Sequence, residues 1–197
     1  YMNSKYKVLK FRSNVTKEVD DQISIEEPLE IIIKYKDKNN WVENTISITM
    51  RTPGEDKDLV RGFLFNERVI EKINYIEKIE ESGELVGQYK LRNKVIVTIN
   101  NPENIDVDKI KRNFLTNSSC GVCGKTSLDS LEIIKKDKVT KSIPKIPHKV
   151  IMRSPDMLRQ NQSEFSKTGG IHASGLFTAN GDIVAVKEDV GRHNALD

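Results

Sequence analysis

Between Leu29 and Leu64 the spacing of apolar residues changes its period, and no other feature of the chain restricts the fold as much. Leu29 to Tyr35 carries Ile31, Ile32 and Ile33, Asp37-Lys38-Asn39-Asn40 supplies a turn, and Trp41 to Met50 alternates through Val42, Ile46 and Ile48. Alternating side chains line one face of a pleated strand, so this segment reads as a β-hairpin. Thr52-Pro53-Gly54-Glu55 then combines an N-cap threonine, proline at the first helical position and glutamate three residues after the cap. A helix to Asn66 follows, with Leu59, Val60, Phe63 and Leu64 on its buried stripe. Ile73 to Glu81, Leu85 to Leu91 and Lys94 to Ile99 read as three more strands, and Ile105 to Asn113 as a mixed element. Upstream, Lys5 to Arg12 alternates apolar and basic residues in the manner of an edge strand. Strands, helix, strands and a further helix imply an α+β or mixed α/β layer.

That further helix begins at Thr126-Ser127-Leu128-Asp129, and it follows the most reactive stretch of the chain, Ser118-Ser119-Cys120-Gly121-Val122-Cys123-Gly124-Lys125. A thiol attacks only as thiolate, and a helix N-terminus, a nearby cation or a Cys-x-x-Cys pair lowers its pKa from about 8.5. All three conditions are available to Cys120 and Cys123, and Gly121 and Gly124 leave room beside each sulfur. A structural zinc site needs four ligands, whereas the 2 cysteines have no second pair and His148, His172 and His193 are scattered. Reactive thiol chemistry is therefore preferred over a metal site or structural cysteines, with no metal expected.

Lys135 to Lys149 is rich in lysine, contains Pro144 and Pro147, and reads as a solvated linker. Ser154-Pro155-Asp156 predicts the start of another helix, with Met157, Leu158 and Phe165 as core candidates. Thr168-Gly169-Gly170-Ile171-His172-Ala173-Ser174-Gly175 surrounds one histidine with small residues, and Asn180-Gly181 between two apolar runs signals a tight hairpin. The end of the chain, Lys187 to Asp197, places Asp189, Arg192 and His193 at what reads as a strand-to-helix turn. Arg192 there either grips an anion or pairs internally with Asp189 or Glu188. No helix stop follows Leu196, so the fold is expected to continue past Asp197. Glycines are too sparse for a phosphate-binding loop or a dinucleotide fingerprint.

A chain of 197 residues with 31% charged and 37% hydrophobic residues buries a core. Its net charge of +3 argues against general nucleic-acid binding, and it contains no apolar run that would span a bilayer. Two cysteines in a chain of this size suit a reducing cytoplasm.

Three of these stretches, Ser119 to Lys125, Thr168 to Ser174 and Val186 to Asp197, together with Pro53-Gly54-Glu55-Asp56-Lys57-Asp58-Leu59-Val60-Arg61-Gly62-Phe63-Leu64-Phe65, resemble the FdhD family of sulfur carrier proteins. The resemblance implies a small N-terminal α/β lobe (residues 1–134), a linker (135–149) and the start of a cytidine-deaminase-like lobe (150–197). It implies a cytoplasmic homodimer that takes sulfur from a cysteine desulfurase and delivers it to the bis(molybdopterin guanine dinucleotide) molybdenum cofactor for formate dehydrogenase. Cys120 matches the persulfide-bearing cysteine and Cys123 the second thiol, and the cofactor is transient cargo. His172, Arg192 and His193 are the expected cofactor contacts here, the main cofactor site lying in a stretch that family members carry beyond the position matched by Asp197. Deaminase chemistry does not follow from such a fold: His172 is followed by Ala173 and Ser174, not by the required glutamate, and no cysteine comes after Cys123.

Overall fold

A computed structural model of the chain describes residues 3–100, 103, 105 and 145–197. The cysteine stretch, the helix expected after it and most of the lysine-rich segment lie outside the described residues. Mixed sheets with a few helices make the fold α+β, and the described residues fall into two units. Both are discontinuous in sequence, one built around residues 27–51 and 55–100 and the other from residues 3–26, Thr52–Gly54 and 145–196.

The first unit is a four-stranded sheet of order β4-β3-β6-β5, formed by β3 (Glu27–Asp37), β4 (Asn40–Arg51), β5 (Ile76–Val86) and β6 (Leu91–Ile99). β3 pairs antiparallel with β4, as the expected hairpin, and parallel with β6, from Glu30 opposite Lys94 to Lys34 opposite Thr98. Every second residue of β3 is buried, and Leu29, Ile31, Ile33 and Tyr35 meet Val95, Val97 and Ile99 of β6 and Ile46 of β4 in one core. Helix α1 (Asp56–Asn66) adds Leu59, Val60 and Leu64. Each such fully buried aliphatic side chain contributes about 1.5–3 kcal/mol of transfer free energy.

Two expectations for this unit are corrected. Helix α1 starts at Asp56, with Glu55 at its N-cap and no side-chain cap, so Thr52 does not cap it. The Glu55 carbonyl accepts from the Asp58 and Leu59 N–H groups at 3.0 and 3.1 Å, and Asp56 and Asp58 complement the positive end of the helix dipole. The region read as two strands from Ile73 to Leu91 is a short 3-10 turn (Ile73–Tyr75) followed by the single strand β5. A register shift between Ser82 and Leu85 takes up the extra residues around Gly83 as a bulge, so the apparent break in pattern does not end the strand.

Arg51 is 1% exposed, and its charge is met by a two-pronged contact with Asp56, Nε to Oδ1 at 3.0 Å and Nη2 to Oδ2 at 2.9 Å. Nη1 donates to the carbonyl oxygens of Glu27 and Pro28. On the open side of the sheet, hydrogen bonds first from Lys94 and then from Thr45 hold the Glu30 carboxyl below its usual pKa.

The second unit opens with the hairpin of β1 (Asn3–Arg12) and β2 (Val15–Ser24). Its loop residues Ser13 and Asn14 both have positive φ, 46° and 65°, the combination that matches the twist of two antiparallel strands. The base of the hairpin is tied to helix α3 (Ser163–Thr168): Asn3 Nδ2 donates to Glu164 Oε1 at 2.9 Å, and the Ser24 and Thr168 hydroxyls are 2.8 Å apart. Helix α2 runs His148–Gln160, so it begins inside the segment read as linker and ahead of the predicted start at Ser154. Pro155 sits within it and cannot donate to the Ile151 carbonyl, and the Ser154 hydroxyl donates to that oxygen instead at 2.9 Å.

Strands β7 (His172–Phe177) and β8 (Ile183–Asp189) form a two-stranded ribbon joined by a longer loop than the expected two-residue turn, closed by Thr178 and Asp182. A Cβ on Gly175 would lie 2.9 Å from the Phe177 ring and 3.0 Å from Leu158 Cδ1, so glycine is what allows α2 to approach the ribbon.

Two measurements check these contacts. Arg51→Met or Asp56→Leu alone leaves a buried or half-buried charge unpaired and is expected to lower the unfolding free energy by about 3–5 kcal/mol, the double variant losing less, as read by urea titration. Because the Glu30 pKa is lowered in the folded state, its contribution is present above the unfolded carboxylate pKa and fades as pH falls through the folded value. Glu30→Gln should therefore flatten part of the acid limb of a stability-against-pH curve and leave wild-type behaviour unchanged in shape above pH of about 6.

Candidate functional site

Cys120 and Cys123 lie outside the described residues, as does Lys125. The described candidates are His172, Arg192 and His193, and their placement is governed by two buried carboxylates at the end of β8. Glu188 is 4% exposed and accepts from the Glu164 and Phe165 backbone N–H groups at 2.9 and 2.8 Å, and from the Ser163 hydroxyl at 3.4 Å. It thereby caps α3 from outside the helix, satisfying donors that no turn of the helix reaches.

Asp189, 6% exposed, is the organising group of the turn that follows. Its Oδ1 accepts from the Gly191 N–H at 2.7 Å and from Asn194 Nδ2 at 2.9 Å, and its Oδ2 accepts from the Thr52 N–H at 2.9 Å. The Thr52 hydroxyl in turn accepts from the Val190 N–H at 3.1 Å. Further hydrogen bonds from Ala195 N to Gly191 O and from Leu196 N to His193 O, at 3.0 and 2.9 Å, wind the turn.

Arg192 and His193 sit between Gly191 and Asn194, and both are exposed. His172 is exposed at the start of β7, directly across the ribbon from Asp189. The fold thus brings His172 into register with the residue that shapes the Arg192-His193 turn. The oxygens of Glu188 and Asp189 accept from backbone and amide donors. A guanidinium and two imidazoles presented to solvent on a hydrogen-bonded frame are suited to an anionic group. Among the described residues no group of three His, Cys, Asp or Glu side chains could hold a metal ion, and no helix is long and apolar enough to cross a membrane.

Thr52 is the site residue that sequence reasoning missed. Its local context, with Pro53 and Glu55 following, is that of a helix cap, and the residues it serves lie 137 and 138 positions away.

Residues 24–197 match the FdhD/NarQ family. The chain belongs to that family. It is 41% identical over 180 residues to the sulfur carrier protein FdhD of Picrophilus torridus, covering 91% of this chain and 62% of that protein. It is 36% identical over 193 residues to the sulfur carrier protein FdhD of Sulfolobus acidocaldarius, covering 98% and 66%. The chain therefore spans about two thirds or less of the length of these curated FdhD relatives. The crystal structure of a proposed formate dehydrogenase accessory protein from Desulfotalea psychrophila shares the fold, with a TM-score of 0.63 over 98% of this chain and 65% of that one, at 22% identity. The stretches Thr168–Ser174 and Val186–Asp197 meet at one end of the ribbon, with His172 of one strand opposite Asp189 of the other.

The frame and the presented side chains should separate in mutagenesis. Asp189→Ala strands several N–H donors and is expected to cost about 2 kcal/mol or more of stability. Arg192→Ala and His193→Ala should stay within about 0.5 kcal/mol of wild type, all measured by denaturant unfolding of the same preparation.

Proposed function

We propose that this protein is a sulfur carrier that takes persulfide sulfur from a cysteine desulfurase onto Cys120 and delivers it to the bis(molybdopterin guanine dinucleotide) molybdenum cofactor, as formate dehydrogenase activity requires. The observation that carries this reading is family membership combined with Cys120-Gly121-Val122-Cys123 in a chain with no other cysteine. The relatives named as sulfur carrier proteins support it at 36–41% identity over nine tenths or more of the chain.

In the first step the Cys120 thiolate attacks the terminal sulfur of the donor's cysteine persulfide. The donor's S–S bond breaks, the donor cysteine leaves as thiolate, and Cys120 carries the persulfide. In the second, the Cys123 thiolate attacks Cys120 Sγ, the bond to the outer sulfur breaks, and sulfide leaves toward the molybdenum centre of the cargo. Cys120 and Cys123 are then joined as a disulfide, and an external dithiol reduces them for the next cycle. Low thiol pKa values serve both attacks, and Lys125 would lower them further.

The cargo ends in guanine nucleotides, and His172, Arg192 and His193 supply its phosphates with cationic and hydrogen-bonding groups. A cytidine-deaminase-like second lobe, a homodimer and a reducing cytoplasm complete the reading.

Mass spectrometry after incubation with a cysteine desulfurase and cysteine is expected to find one added sulfur on the Cys120 peptide, absent in Cys120→Ala and accumulating in Cys123→Ala. No adduct in the wild type, together with activation of formate dehydrogenase by a Cys120→Ala, Cys123→Ala variant, would replace the carrier with a chaperone that binds the cofactor without handling sulfur.

A further inference from the structure

We propose that Thr52 is a positioning residue for the turn that presents Arg192 and His193, an inference that rests on the cargo-binding reading of that turn. Thr52 is 3% exposed, and both of its polar backbone-proximal groups are committed to residues at the far end of the chain. Its N–H donates to Asp189 Oδ2 and its hydroxyl accepts from the Val190 N–H. Asp189, with its other oxygen, holds Gly191 and Asn194. Arg192 and His193 are therefore bracketed on one side by groups that Thr52 holds and on the other by groups that Asp189 holds.

Three features show that this is not incidental packing. Helix α1 begins only at Asp56, so the hydroxyl plays no capping part. The strap Thr52–Gly54 is short, and Arg51 and Asp56 on either side of it form two hydrogen bonds with each other. Within it Pro53 is fully buried, and Gly54 adopts φ of 134°, a conformation that side-chain-bearing residues resist. Loss of the Thr52 hydroxyl frees the Val190 N–H without changing the charge of the site.

The test uses the full chain with both cysteines and GDP as the probe for the nucleotide end of the cargo. Thr52→Val keeps the shape and the N–H but removes the hydroxyl, and Thr52→Ser keeps the hydroxyl. Calorimetric titration should find GDP binding weakened about tenfold in Thr52→Val, the order expected for one lost hydrogen bond, and restored to within about twofold in Thr52→Ser. Hydrogen exchange should quicken at Val190, Gly191 and Asn194 in Thr52→Val alone, with β3 and β6 amides still protected and persulfide loading of Cys120 unchanged. Wild-type GDP affinity in Thr52→Val, a Thr52→Ser variant as weak as Thr52→Val, or loss of protection spread over β3 and β6 would each overturn the proposal. If the wild type does not bind GDP, or Arg192→Ala binds it equally well, the cargo-binding reading fails instead. Exchange at Gly191 and Asn194 then still decides whether Thr52 holds the turn.

Discussion

The buried carboxylate of Asp189 is the contact on which the described candidate surface depends. It gathers N–H donors from Thr52, Gly191 and Asn194, two neighbouring residues and one 137 positions away. A desolvated carboxylate left without donors is costly, and Thr52 supplies one of the donors that meet it. Glu188, one residue earlier, does the same for α3. Consecutive residues of one strand therefore secure a helix and a turn, and the side chains of His172, Arg192 and His193 are exposed.

This division of labour explains why the acidic residues of the Lys187–Asp197 motif are buried while its basic ones are presented. On the proposed reading an anionic ligand meets the exposed Arg192 guanidinium, while the Glu188 and Asp189 carboxylates accept from backbone and amide donors. In the proposed function Cys120 and Cys123 would provide a separate chemistry, nucleophilic sulfur. A carrier needs both, one group to hold a reactive sulfur atom and another to recognise the molecule that receives it.

Much of the sheet was legible in the residues because burial on one face imposes a strict period. Leu29, Ile31, Ile33 and Tyr35 announced β3, and Leu59, Val60 and Leu64 announced the buried stripe of α1. The errors cluster where a local signal was put to another use. Thr52 carries every mark of a helix cap and serves Val190 instead. Pro155 marks a helix start in most contexts, but Ser154 takes over the carbonyl it leaves unmatched, and α2 passes through it. The strand β2 lacks an apolar alternation because its residues Lys17, Glu18 and Asp20 face solvent and carry no burial pattern. Of the site, the motif residues were readable from type and spacing, whereas the contact between Thr52 and Asp189 was not, since nothing local encodes a partner so distant. The thiol pair was identified from its spacing and from the family resemblance, and it lies outside the described residues.

The central claim is that sulfur passes through Cys120 to the molybdenum cofactor. It is tested most directly by loading Cys120 with isotopically labelled sulfur, removing the donor, adding formate dehydrogenase apoprotein with sulfur-free cofactor, and following the label. The account predicts that label leaves the Cys120 peptide and appears on the cofactor in equal amount as activity rises. Activity that rises while the label stays on Cys120 would contradict it.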